Sequence, residues 1–165
     1  SEDKVKIISK ALGDRTGTVR FSNDKDPLRR KVLDNKKKLE NFIYVQMTTL
    51  DSELENLAQN FIIKMDLEGF EFKALEGARH ILNKKNLKAI IIENNQKAED
   101  NLVHKILSEF NFFRVEYFPQ QRQIKLSKNN LDNKINHIYI KDIDIIHKDC
   151  ISSKNYKIYT ANKEI

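Results

Sequence analysis

Tryptophan is absent from this chain, cysteine occurs once, proline twice, and only four glycines are spread over 165 residues. The single thiol, Cys150, excludes an internal disulfide framework and suits a reducing compartment. No apolar run approaches the ~20 residues needed to cross a bilayer, and no signal-peptide core opens the chain. A cytoplasmic location is therefore the default expectation. The glycines (Gly13, Gly17, Gly69 and Gly77) contain no G-x-G pair. A glycine-rich loop of the kind that cradles a nucleotide is not written into these residues.

Hydrophobic residues make up 39% of the chain, enough to bury a core and too many for disorder throughout. The net charge of +6 raises the question of nucleic acid or an anionic membrane surface. Lysine supplies most of that charge and is scattered over the length. The one dense cluster is Arg29, Arg30, Lys31, Lys36, Lys37 and Lys38, with no aromatic among them to stack on a base. It reads as a solvated loop or helix face, and nucleic acid is not the expected partner.

Periodicity places the elements. Residues 5–12 (VKIISKAL) read as a buried strand closed by the turn Gly13-Asp14, and 17–21 as a short edge strand. Residues 22–41 collapse into charge and read as a loop. Residues 42–48 (FIYVQMT) alternate as a strand, after which Thr49 or Asp51 can cap a short helix through Ala58. Two compact apolar strands follow, 61–66 (FIIKMD) and 87–93 (LKAIIIE), each ending on a carboxylate. Between them a helix is expected over about 70–83, with Leu75, Ala78 and Leu82 on one face. A second amphipathic helix is expected over 98–110, with Leu102, Ile106 and Leu107 inward. Three strands close the pattern at 112–118, 123–127 and 137–141, the first two joined at Pro119-Gln120-Gln121. This order predicts an α/β fold with a mostly parallel sheet and an antiparallel C-terminal hairpin.

In such sheets ligands bind outside the carboxyl ends of the strands. Asp66 and Glu93 end consecutive strands of one crossover unit, Glu68 follows Asp66 by two residues, and Asn94 and Asn95 follow Glu93. Three chemistries suit these residues. Asp66 and Glu68 can cap the following helix. A carboxylate can take a proton from an acceptor hydroxyl. Asp66, Glu93 and Asn94 can offer oxygen ligands to Mg²⁺ or Ca²⁺. Spacing alone leaves all three open. The four histidines (His80, His104, His137 and His147) lack ligand spacing and read as surface or structural.

The wording of this region is similar to the FkbM methyltransferase signature. Thr49-Leu50-Asp51 leads; Lys64, Asp66, Glu68, Gly69 and Glu71 follow across a strand and turn; Leu75, Gly77 and Ala78 lie in a helix; Glu93 closes. Upstream, Ala11-Leu12-Gly13-Asp14 and then Gly17 and Phe21 match the family's earlier segment, and residues 136–140 (NHIYI) resemble its final strand. The resemblance covers about 5–141, and implies a Rossmann-like methyltransferase that moves a methyl from S-adenosylmethionine to a hydroxyl of a sugar, lipid, peptide or other small acceptor. It implies that Ala11, Leu12, Gly13 and Asp14 meet the cofactor's adenine, and that Asp66, Glu68 and Glu93 are the catalytic acids. By analogy with catechol-type relatives, it implies a Mg²⁺ held by Asp66, Glu93 and Asn94. Lys64 and Glu71 belong to the motif without an assigned role.

The resemblance also implies two earlier strands, carrying a glycine-rich loop and a ribose-binding acid, which these residues do not contain. The partial domain is expected over 1–147, with a tail over 148–165. Without those two strands the strand at 5–12 is expected to stand apart from that at 61–66, and the isolated chain to bind S-adenosylmethionine weakly or not at all. Exposed strand edges could pair between chains as a homodimer. A methyltransferase-like interaction module and a basic RNA- or membrane-surface binder are the non-enzymatic alternatives.

Overall fold

The computed structural model describes residues 5–23, 32, 41–93, 97–127, 136–154, 157–158 and 163–164. The basic cluster at 29–38, most of the expected loop at 22–41, and Asn94 and Asn95 lie outside the described residues. The chain forms two compact units, Ser1–Leu57 with Leu67–Asn83, and Ala58–Asp66 with Lys84–Ile165.

The first unit carries a three-stranded sheet of order β1-β3-β2, with β1 at Ala11–Leu12, β2 at Gly17–Ser22 and β3 at Phe42–Thr48. β1 runs parallel to β3 and β2 antiparallel to it. The strand expected over 5–12 shrinks to its last two residues. Only Ala11 and Leu12 find partners, in Met47 and Thr48, while Val5 and Ile7 are 74% and 85% exposed. Apolar alternation without a neighbour to bond does not make a strand. Helix α1 (Leu50–Leu54) begins where Thr49 accepts the Ser52 amide at 3.1 Å, and stops four residues short of Ala58. The helix expected over 70–83 is two short ones, α2 (Glu71–Glu76) and α3 (Arg79–Asn83). Its predicted inward face holds, with Leu75, Ala78 and Leu82 fully buried.

The second unit is built on a five-stranded sheet of order β4-β5-β8-β6-β7. Its strands are β4 (Phe61–Met65), β5 (Leu87–Glu93), β6 (Phe113–Phe118), β7 (Gln123–Leu126) and β8 (Asn136–Ile140). Only β4–β5 is a parallel pair; β5–β8, β6–β8 and β6–β7 are antiparallel. The mostly parallel sheet expected from the sequence is thus a mixed one. Because β8 enters between β5 and β6 with reversed direction, β4, β5 and β6 still share one direction. β1 does not join this sheet, as expected.

Helix α4 (Lys97–Glu109) buries Val103, Ile106 and Leu107, whereas Leu102, expected inward, is 46% exposed. Its apolar stripe is rotated by one residue because Val103, not Leu102, completes the inward set. Helix α5 (Ile143–Ser152) has no counterpart in the sequence expectation. Its Ile143 and Ile146 pack with Ile124 and Ile138 against Ala89, Val115 and Ile140. A short antiparallel pair, β9 (Lys157–Ile158) and β10 (Lys163–Glu164), follows. Among the described residues no helix is long and apolar enough to cross a membrane.

Tyr139 in β8 is fully buried, and among the described residues its hydroxyl has no hydrogen-bond partner. Burial pushes its ionisation above the ordinary tyrosine range; the nearby Arg114 opposes the shift and Asp100 adds to it. The folded state therefore holds this proton more tightly than the unfolded chain, so stability is lost as pH rises beyond about 10. Tyr139→Phe removes an unsatisfied polar atom at little cost in shape. In urea titrations it should be neutral or stabilising at pH 7 and should flatten the alkaline loss.

Candidate functional site

The signature residues fall into both units, and most are explained by local geometry. In the first unit they interlock. Gly13 donates its amide to the Thr48 carbonyl at 3.0 Å, and Asp51 donates its amide to the Gly77 carbonyl at 3.1 Å. The Asp51 carboxylate accepts the amides of His80 (3.1 Å) and Ile81 (2.8 Å). It caps α3 across 29 residues of sequence instead of capping its own helix, where Thr49 does that work. A Cβ on Gly77 would fall against the Gly13 carbonyl oxygen and stand 3.1 Å from both the Gly13 carbonyl carbon and the Thr49 Cβ. Two backbones touch here, and only glycine permits it.

The expected cofactor residues Ala11, Leu12, Gly13 and Asp14 close β1 and enter the following turn. Ala11, Leu12 and Asp14 are half-buried and Gly13 is buried. A Cβ on Gly13 would meet the Met47 sulfur at 2.5 Å and the Phe70 ring at 3.2 Å, so that face of Gly13 is filled by the protein itself. The Asp14 carboxylate stands 3.3 Å from the Lys73 ammonium and 3.1 Å from the Arg15 guanidinium. Lys73 also bonds Glu76 at 2.7 Å, and these acids, Glu76 foremost, raise its affinity for a proton. Nothing in the sequence spacing announces this Asp14–Lys73–Glu76 group.

Glu68 also lies in the first unit, exposed, with φ of 52°; Gly69 beside it has φ of 89°. Both sit in the left-handed region, costly for a glutamate. Glu71 is 1% exposed, and its carboxylate accepts the Leu67 amide at 2.7 Å and the Gly69 amide at 3.1 Å. The role the sequence leaves open for Glu71 is closure of this turn.

Asp66 and Glu93 come together in the second unit. The parallel register of β4 and β5 ends with Met65 opposite Ile92. Glu93 is the last residue of β5 and Asp66 follows the last residue of β4, so both lie at the carboxyl ends of neighbouring strands. Asp66 is exposed and Glu93 half-buried. The Lys64 ammonium stands 3.9 Å from Glu93 and sets a positive charge beside that acid. Two carboxylates and a lysine at strand ends can orient a hydroxyl and accept its proton.

A comparison of the sequence with family models decides the membership: the model described as the methyltransferase FkbM domain matches residues 1–122. The chain belongs to the FkbM methyltransferase family. No curated protein and no solved structure matches it. Within this FkbM domain, Thr49, Asp51, Gly77 and Ala78 serve the packing of the first unit, and Glu71 serves the turn around Glu68. Asp66, Glu68, Glu93 and Lys64 keep polar groups that the fold does not consume in packing. Of the Mg²⁺ set, Asn94 lies outside the described residues. Among those that are described, no group of three or more histidine, cysteine, aspartate or glutamate side chains is arranged to hold a metal ion.

Proposed function

We propose that this FkbM domain serves an S-adenosylmethionine-dependent O-methyltransferase acting on a hydroxyl of a sugar, lipid, peptide or other small acceptor. One observation carries the reading: the parallel register of β4 and β5 brings Asp66 and Glu93 to the carboxyl ends of adjacent strands, and the Lys64 ammonium stands 3.9 Å from Glu93. The residues at the end of β1 fit the cofactor's adenine edge. Ala11 and Leu12 offer half-buried apolar surface at the carboxyl end of a parallel strand, and Asp14 keeps a partly exposed carboxylate. Gly13 contributes by letting Met47 and Phe70 approach.

When bound, S-adenosylmethionine supplies an electrophilic methyl on its sulfonium. The chain's own residues have the remaining tasks. Asp66 and Glu93 orient the acceptor hydroxyl and receive its proton, and in the first unit Glu68 presents an exposed carboxylate suited to the same chemistry. Lys64, 3.9 Å from Glu93, offsets part of the negative charge at the strand ends. No step is assigned to Mg²⁺; among the described residues no group of three or more histidine, cysteine, aspartate or glutamate side chains is arranged to hold it.

Calorimetric titration with S-adenosylhomocysteine tests the cofactor half of this reading. The chain, which has no G-x-G loop, should bind weakly, and Leu12→Asp at the end of β1 should weaken the binding further. Binding that Leu12→Asp leaves unchanged would overturn it.

A further inference from the structure

We propose that Glu71 is a positioning residue that sets the place of the Glu68 carboxylate; the proposal rests on the reading of Glu68 as part of the methyl-transfer site. The two oxygens of Glu71 receive the amides of Leu67 and Gly69, the residues on either side of Glu68. A carboxylate that is 1% exposed has given up its hydration, and it recovers that loss only through these two charge-assisted bonds. They hold Glu68 at φ of 52° and Gly69 at φ of 89°, two successive left-handed residues that a free turn would avoid.

A glutamate that merely closed a turn would need no strained, charged residue at its centre. A glycine or asparagine would fit position 68 better. Among the described residues the Glu68 side chain is exposed and engages no hydrogen bond or ion pair. The fold therefore strains a backbone around a carboxylate that it does not itself use. Strain of this kind accumulates where a side chain must be presented to a ligand. Glu71 is the buried group that maintains the presentation, and the Lys-x-Asp-x-Glu-Gly-x-Glu spacing places it three residues after the acid it holds.

The test uses the protein and the near-isosteric Glu71→Gln, whose amide offers one acceptor oxygen where the carboxylate offers two. Amide hydrogen exchange at Leu67 and Gly69 should accelerate at least tenfold, with exchange in β3 and α3 unchanged. Transfer of labelled methyl from S-adenosylmethionine into a total metabolite and glycan extract gives the second readout. Glu68→Gln and Glu71→Gln should each lower turnover at least tenfold, and the double variant should be no slower than Glu68→Gln alone. Unchanged exchange at Leu67 and Gly69, or losses that multiply in the double variant, would overturn the positioning role while leaving Glu68 in the site. Full turnover by Glu68→Gln would overturn both this proposal and the place of Glu68 in the proposed function.

Discussion

Gly77→Ala should unfold the first unit or cost it at least about 3 kcal/mol, the range of overpacking that side chains cannot absorb. Gly77 has φ of −83°, which alanine adopts without strain, so the penalty is steric alone. The added methyl would press on the Gly13 carbonyl oxygen, a backbone atom bound into the turn by the Gly13 amide's bond to Thr48. Moving Gly13 disturbs β1 and the Asp14 turn; moving Gly77 breaks its carbonyl's bond with Asp51. Gly17→Ala is the contrast. Nothing lies within 4 Å of a Cβ there, but its φ of +147° strains any L side chain, and the expected cost is about 1 kcal/mol. Chemical denaturation of the two variants separates the effects. A Gly77→Ala protein within 1 kcal/mol of the parent would mean that the two backbones do not meet as described.

Arg114→Ala should have an effect of comparable size in the second unit. The Arg114 side chain is 6% exposed and bonds Asp100, itself 14% exposed, at 3.1 Å. It also donates to the ring of His137, with one contact at 2.8 Å; the His137 ring lies 3.6 Å from Asp100. Removing one member of a buried pair leaves the other charged and unsolvated, at a typical cost of about 3–5 kcal/mol. Asp100 already has one oxygen without a hydrogen-bond partner among the described residues, so it has no reserve with which to compensate. Arg114→Ala combined with Asp100→Leu should recover more than half of the loss, since replacing a whole buried pair with apolar groups is far milder than halving it. Equilibrium unfolding of the two singles and the double forms a complete cycle.

These two features mark where sequence reading stops. Strands β3 and β5 could be read to the residue because their composition decides them: branched and aromatic residues predominate between turn signals. The pairing of the strands that lead to Asp66 and Glu93 could be read because a crossover unit brings consecutive strands side by side. The helix break at Gly77 could not, because its cause is Gly13, 64 positions away in the chain. Asp51 reads as a local cap because capping is usually local, and its actual partners lie 29 and 30 residues on. The polar group of Asp100, Arg114 and His137 joins a helix and two strands that share no motif. Helix α5 was invisible because Ile143, Ile145 and Ile146, with the acids between them, carry more strand than helix preference. Its packing on β8 and β7 overrides that preference.

The most direct test of the methyltransferase reading is transfer of labelled methyl from S-adenosylmethionine by the protein, with and without Asp66→Asn. The substitution keeps the shape of a side chain that is exposed at the end of β4 and removes only its capacity to hold a negative charge and take a proton. Label should pass to an acceptor hydroxyl with the parent protein and fall at least a hundredfold with Asp66→Asn, the scale on which a positioned proton acceptor acts (roughly 10²–10⁴), while S-adenosylhomocysteine binding stays within about twofold, well under 1 kcal/mol. Transfer that proceeds undiminished in the variant would contradict the account.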